Sequence, residues 1–166
     1  MSKALSWDPI WETLHSTQEW GKYPPEELVR FACGRYKQHP DRSTVKALEV
    51  GCGAGANIAF LAGEGFDTAG IDGSRSAVVT CAERLEADGL NASLECGDFR
   101  DLLAFYAADS HDIVLDVGSI QHNPWADIKQ IVDQIHQVLK PGGVFFGMML
   151  STGSWGENTG KLFEPG

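Results

Sequence analysis

The sequence predicts an α/β fold in which a doubly wound, mostly parallel sheet carries helices on both faces. From residue 45 onward, short apolar runs alternate with helical patterns of period 3.6. The runs are apolar on both sides, as strands covered on each face must be. A glycine-rich turn directly follows the first run, and ligands of such sheets sit in the crevice at the carboxyl ends of the strands. At 166 residues the chain suits one domain with a real core.

The elements follow in order. Trp7, Ile10, Trp11 and Leu14 fall at i, i+3, i+4 and i+7, which predicts a short amphipathic helix. Ser6 is its expected cap, with Pro9 in its first turn, where no N–H partner is lost. A second helix is expected to start at Pro24-Pro25-Glu26-Glu27, bury Leu28, Phe31 and Ala32, and end in Arg35-Tyr36-Lys37. Residues 1–44 form a helical lead-in, suited either to a lid over an acceptor site or to packing against the sheet. Strands are predicted over residues 45–50, 68–72, 92–96, 113–117 and 144–150. Between them come helices over 57–62, with Ile58, Leu61 and Ala62 inward, and 74–87, with Val78, Cys81, Ala82 and Leu85 on one stripe. The clearest helix is 125–139, where Ile128, Ile131, Val132, Ile135, Val138 and Leu139 keep the helical period. Asn123 is its expected cap and Pro124 its first residue.

Composition narrows the partners. Thirteen basic against 23 acidic residues leave a formal charge of −10, which repels phosphate backbones and anionic lipid. No nucleic-acid or membrane partner is therefore expected. No run approaches the ~20 apolar residues of a membrane helix. Asp8, Pro9 and Glu12 fall where a signal peptide needs an apolar run. Cys33, Cys52, Cys81 and Cys96 make no C-x-x-C pair, so buried reduced thiols in a cytoplasmic protein, with no metal site, are expected.

The candidate site starts at Glu49-Val50-Gly51-Cys52-Gly53-Ala54-Gly55. Gly51 permits a tight turn, Gly53 lets a ligand lie against bare backbone, and Gly55 lets helix and strand approach. The run also fits G-x-G-x-x-A, a dinucleotide pattern. Glu49 opposes that reading, because its carboxylate would repel a pyrophosphate at this turn. It would attract the sulfonium and ammonium of S-adenosylmethionine. Asp72 ends the second strand about 20 residues beyond Gly51, where a carboxylate accepts both ribose hydroxyls. A helix cap is the plainer role for it. Gly97-Asp98-Phe99 ends the third strand and suits an adenine, with Asp98 at the amino group and Phe99 on the ring. An Asx turn with a core phenylalanine explains the same residues.

These residues resemble a class I S-adenosylmethionine-dependent methyltransferase. Glu49-x-Gly51-x-Gly53-x-Gly55 resembles the first motif of that family, and Asp72 its ribose-binding acid. Gly97-Asp98 is similar to its adenine turn, the run from Asp112 to His122 to its fourth-strand motif, and Leu139-Lys140-Pro141-Gly142-Gly143 to the turn before its fifth strand. The resemblance spans 45–150. More weakly, the segment from Trp20 to Phe31 looks like the lead-in of bacterial members of unassigned substrate. The resemblance implies a Rossmann-like fold and S-adenosylmethionine as cofactor. It places Glu49, Gly51, Cys52 and Gly53 at the methionine portion, Asp72 and Gly73 at the ribose, and Asp98 and Phe99 at the adenine. The backbone of Asp116 and Val117 then faces the ammonium. The implied reaction is methyl transfer to an oxygen or nitrogen of a small-molecule acceptor.

His122 follows the fourth strand and suits a general base. A polar loop residue anchoring the helix start at Asn123-Pro124 is the plainer role for it. The carboxylate of Asp116 has two roles open to it, cofactor or acceptor contact and bonding to nearby N–H groups. His15, His39, His111 and His136 show no partner spacing and are expected at the surface or in loops. Two alternatives stand beside the transferase: a binding module without turnover, and a nicotinamide-dependent oxidoreductase. The family's sixth and seventh strands find no counterpart in the Gly-, Ser- and Thr-rich tail 151–166, expected to be flexible, so either a truncation point or an unusually short protein is expected there. Without them the fifth strand is expected to be an uncovered edge that self-associates.

Overall fold

The computed structural model describes residues 8–154. One sheet of five strands runs β3-β2-β1-β4-β5, and every pairing in it is parallel. The strands are β1 (Lys46–Val50), β2 (Asp67–Asp72), β3 (Ser93–Cys96), β4 (His111–Val117) and β5 (Leu139–Met148). The helices are α1 (Ile10–Thr17), α2 (Glu26–Arg35), α3 (Ala56–Gly63), α4 (Arg75–Ala87) and α5 (Trp125–Val138). The order reverses after β1, so β1 and β4 flank the switch point where a crevice opens. The doubly wound α/β fold expected from the alternation is the one observed.

Two buried clusters fill the two faces of the sheet. One joins Leu48, Val50, Ile71 and Val114 to Ile131, Ile135 and Val138 of α5. The other joins Ala47, Ile113 and Leu115 to Leu28 and Ala32 of α2 and Leu61 of α3. Inward stripes differ in detail from the sequence reading. On α4 the buried residues are Ala77, Cys81 and Leu85, leaving Ala82 exposed. On α5 Val132 is exposed. His111 is buried at the start of β4, edge-on to Tyr106, and burial pushes its pKa down to about 4. Of the four thiols, Cys52 and Cys81 are buried, whereas Cys96 is exposed.

The caps differ too. The expected cap Ser6 lies outside the described residues. The Asp8 carboxylate instead accepts the Ile10 N–H at 3.0 Å. Asn123 does not cap α5. Its Nδ2 donates back to the Ser119 and Ile120 carbonyls, and α5 starts from Pro124.

β5 begins earlier than residue 144. His111 pairs with Leu139 and Ile113 with Val144, so Lys140-Pro141-Gly142-Gly143 bulge out opposite Asp112. Lys140 Nζ donates to Asp112 Oδ2 at 2.7 Å and pins the bulge. Among the described residues β5 is an outer strand, as expected, but its phenylalanines are not uncovered. Phe145 packs on the α5 cluster, and Phe146 meets Phe31 of α2 with centroids 4.8 Å apart.

Gly55 caps α3 with φ +82, and a Cβ there would lie 2.3 Å from Cys81 Sγ. The glycine therefore lets α3 approach α4 rather than a strand. Gly55→Ala is expected to lower the Tm, because the left-handed backbone alone costs about 1–2 kcal/mol. Adding Cys81→Ala is expected to recover the part due to the clash. A Tm unchanged by Gly55→Ala contradicts this packing.

Candidate functional site

A cavity of about 420 Å³ opens at the carboxyl ends of β1, β2 and β4. Its floor is the glycine-rich turn. Gly51 and Cys52 donate their N–H groups to the Ile71 carbonyl at 2.8 and 3.1 Å, fastening the turn to β2. Gly51 has φ +68, and a Cβ there would lie 2.1 Å from Ser119 Oγ. That hydroxyl donates to the Gly51 carbonyl at 3.0 Å and joins the turn to the loop after β4. Gly53 presents bare backbone, with only His15 near its missing Cβ.

Acids cluster at this floor. Glu49 is 2% exposed. Asn57 Nδ2 donates to its Oε1 at 2.6 Å, while Oε2 is buried without a partner. Burial drives this carboxyl well above the usual carboxylate range, and the Asp116 and Asp72 carboxylates push the same way. Asp72 bridges two loops: Oδ2 accepts the Gly53 N–H and Oδ1 the Ser74 N–H, each at 2.8 Å. Burial raises its pKa, and the two N–H donors and His15 partly offset that. A carboxylate has roughly four lone-pair positions, so about two remain for a ligand.

Asp98 also lines the cavity, but its carboxylate accepts from the Arg100 backbone N–H and from the Arg100 guanidinium, which also binds Asp127. Gly73, Phe99 and Val117 line the wall as well. Asp116 does not. Its Oδ1 accepts the Ser119 and Ile120 N–H groups at 2.8 and 3.0 Å, so its side chain bonds backbone and holds the β4 loop. Its other oxygen, Oδ2, is buried without a partner.

His122 lines the cavity with its ring 4.9 Å from that of Trp11. Burial lowers its pKa. The sequence reading missed His15, which it expected at the surface. His15 stacks on Trp20 at 4.5 Å, lines the cavity, and has its pKa lowered by burial against the pull of Asp72 and Glu12. The available signal was spacing: Trp11 and His15 are i and i+4, hence on one face of α1. Asn57 and Ser119 left no comparable signal.

Within the described residues the wall carries Asp8, Glu49, Asp72 and Asp98 and no lysine or arginine. Glu49 Oε2, Asn57 Oδ1, His15 Nδ1 and Trp20 Nε1 are buried there without partners. Proton NMR titration is expected to give His122 a midpoint below 6.5, assigned by loss of its signal in His122→Ala. A midpoint at or above 6.5 contradicts the buried ring.

Residues 47–143 match the family described as Methyltransferase domain. The methyltransferase GfsG of Streptomyces halstedii is 35% identical over 101 residues, covering 59% of this chain and 35% of that protein. The ubiquinone biosynthesis O-methyltransferase of Methylococcus capsulatus is 32% identical over 112 residues, covering 65% of this chain and 44% of that protein. The chain thus spans less than half the length of these relatives. An S-adenosylmethionine-dependent methyltransferase structure from Clostridium acetobutylicum superposes with TM-score 0.60 at 21% identity, over 82% of this chain and 54% of that one.

Proposed function

The chain belongs to the methyltransferase-domain family, which uses S-adenosylmethionine, and from that premise we propose that it binds this cofactor and transfers its methyl group to a small-molecule oxygen or nitrogen. The observation that carries the reading is the pair of buried acceptors without partners, Glu49 Oε2 and Asn57 Oδ1, in a cavity whose described wall holds acids and no lysine or arginine. A pyrophosphate there would be repelled in a crevice that screens charge poorly. A cationic group is attracted, and the orphaned acceptors Glu49 Oε2 and Asn57 Oδ1 supply sites for its donors. The residues present therefore fit the cofactor and oppose a nicotinamide dinucleotide.

When bound, the cofactor supplies a methyl group activated by a sulfonium. The chain's own part is to position and to deprotonate. Glu49 and Asn57 would hold the amino-acid end, lying over the glycine-rich turn Gly51-Cys52-Gly53. Asp72, with Gly73 beside it, offers its remaining lone pairs to two hydroxyls. Phe99 packs on the base, and Asp98, already committed to Arg100, borders it. Val117 and His122 line the same cavity. The lowered pKa keeps His122 neutral near pH 7, so it can accept a hydroxyl proton. The O-methyltransferase name of the Methylococcus relative favours an oxygen acceptor. A small metabolite suits the acid wall and the net charge of −10 better than a nucleic acid.

A module that binds without turnover is a second reading, favoured because among the described residues the side-chain hydrogen-bond partner of the His122 ring is Gln121 Nε2, at 3.4 Å. Among the described residues no carboxylate orients the ring as in stronger acid–base pairs. A methyl-release assay over a metabolite panel separates the two.

Asp72→Ala is expected to weaken S-adenosylhomocysteine binding about 10- to 100-fold, the equivalent of ~1.5–3 kcal/mol for hydrogen bonds to a charged group. Calorimetry measures it, and unchanged affinity removes Asp72 from the site. His122→Ala is expected to lower turnover of a hydroxyl acceptor about 10²- to 10⁴-fold at nearly constant cofactor affinity. Wild-type turnover would show that His122 is not the base.

A further inference from the structure

Helix α1 brings Trp11 and His15 to the cavity, yet none of its residues is buried. An apolar core does not hold it in place. Its polar ties lead to one element, α4. Glu12 Oε2 accepts Ser74 Oγ at 2.7 Å and the Ser76 N–H at 3.3 Å, while Oε1 accepts Ser76 Oγ. The carboxylate thus lies at the amino end of a 13-residue helix, where negative charge is favoured. The loop after α1 is tied two turns further along α4. Arg84 donates to the carbonyls of Trp20 and Gly21 at 2.6 and 2.8 Å, and to that of Ala54 in the glycine-rich turn at 2.9 Å. Ser74, which receives Glu12, also donates its N–H to Asp72. The turn 72–76 therefore touches the cavity through Asp72 and α1 through Ser74 and Ser76.

We propose that Glu12 is a positioning residue whose carboxylate latches α1 onto the start of α4 and so makes residues 8–25 a closing wall of the site. The latch does not line the cavity itself. It seats Trp11 against His122 and His15 over Gly53. Ties of this kind at a half-exposed carboxylate are weak enough to open locally, so the wall opens to admit a ligand and closes over it. Because Asp72 and Ser74 share one turn, a ligand held at Asp72 stabilises the closed wall. Only the identity of that ligand rests on the cofactor reading. The latch itself is read in the ligand-free protein.

Hydrogen–deuterium exchange of the full chain tests it, with the wild type, Glu12→Gln and Ser76→Ala, each with and without S-adenosylhomocysteine. In the free protein, Glu12→Gln is expected to raise exchange across residues 10–20 at least about tenfold while the β1, β2 and β4 peptides stay unchanged. Ser76→Ala, which keeps two of the three ties, is expected to do so more weakly and decides the matter if Glu12→Gln does not fold. In the wild type the ligand is expected to slow exchange over the same segment, and Glu12→Gln is expected to lose that slowing. A spectroscopic sign accompanies it: the His122 ring protons in Glu12→Gln are expected to move toward their shifts in Trp11→Ala, as the Trp11 ring leaves. Equal exchange of residues 10–20 in the free wild type and Glu12→Gln overturns the latch. Failure of the wild type to bind S-adenosylhomocysteine overturns the cofactor reading instead and leaves the ligand-free comparison to decide the latch.

Discussion

The carboxylate of Asp72 joins three parts of the molecule that the sheet alone does not connect. One oxygen holds the glycine-rich turn at Gly53, the other the start of α4 at Ser74, and through Ser74 the turn reaches Glu12 on α1. A buried carboxylate costs free energy unless it is hydrogen-bonded. Here two backbone N–H groups stabilise the anion against burial, which acts the other way. That balance fixes the geometry of the crevice floor while leaving acceptor capacity toward the cavity. Loss of Asp72 therefore disturbs the turn as well as any ligand it holds.

The same economy recurs along the rim. Asp116 holds the loop after β4 through two N–H groups, and Ser119 of that loop reaches back to the Gly51 carbonyl. Arg100 holds Asp98 and Asp127 together. Asp116 and Glu49 each keep one buried oxygen without a partner, and that of Glu49 belongs to the cavity wall. Unsatisfied buried polar atoms are uncommon, and their concentration in one cavity marks where a ligand's groups belong. Among the described residues that wall carries acids and no lysine or arginine, which disfavours an anionic ligand. The family membership and this charge point the same way by independent routes.

Much of this was legible in the sequence because it is written locally. Strand–helix alternation, the glycines after β1 and the acids at strand ends all follow from spacing along the chain. Nine of the ten residues assigned to the cofactor line one cavity. The tenth, Asp116, turns one oxygen to the Ser119 and Ile120 N–H groups, a contact that spacing along the chain does not reveal. What stayed hidden depends on residues far apart in sequence. The apolar stripe of α1 looks like a core face, but Ile10 is 51% exposed, and the cavity takes Trp11 and His15. Glu12 meets Ser74 and Ser76 across 62 and 64 positions, and Arg84 meets Trp20 across 64, distances over which no periodicity speaks. The bulge in β5 was equally invisible, since Lys140-Pro141-Gly142-Gly143 reads as a plain turn until Leu139 is seen paired with His111.

The central claim concerns the charge and identity of what the acid-walled cavity holds. Isothermal titration of the full chain with S-adenosylhomocysteine and, separately, with NAD addresses it most directly. One-site binding of S-adenosylhomocysteine with no heat from NAD is the predicted result. Binding of NAD, or no binding of S-adenosylhomocysteine by a folded sample, would contradict it.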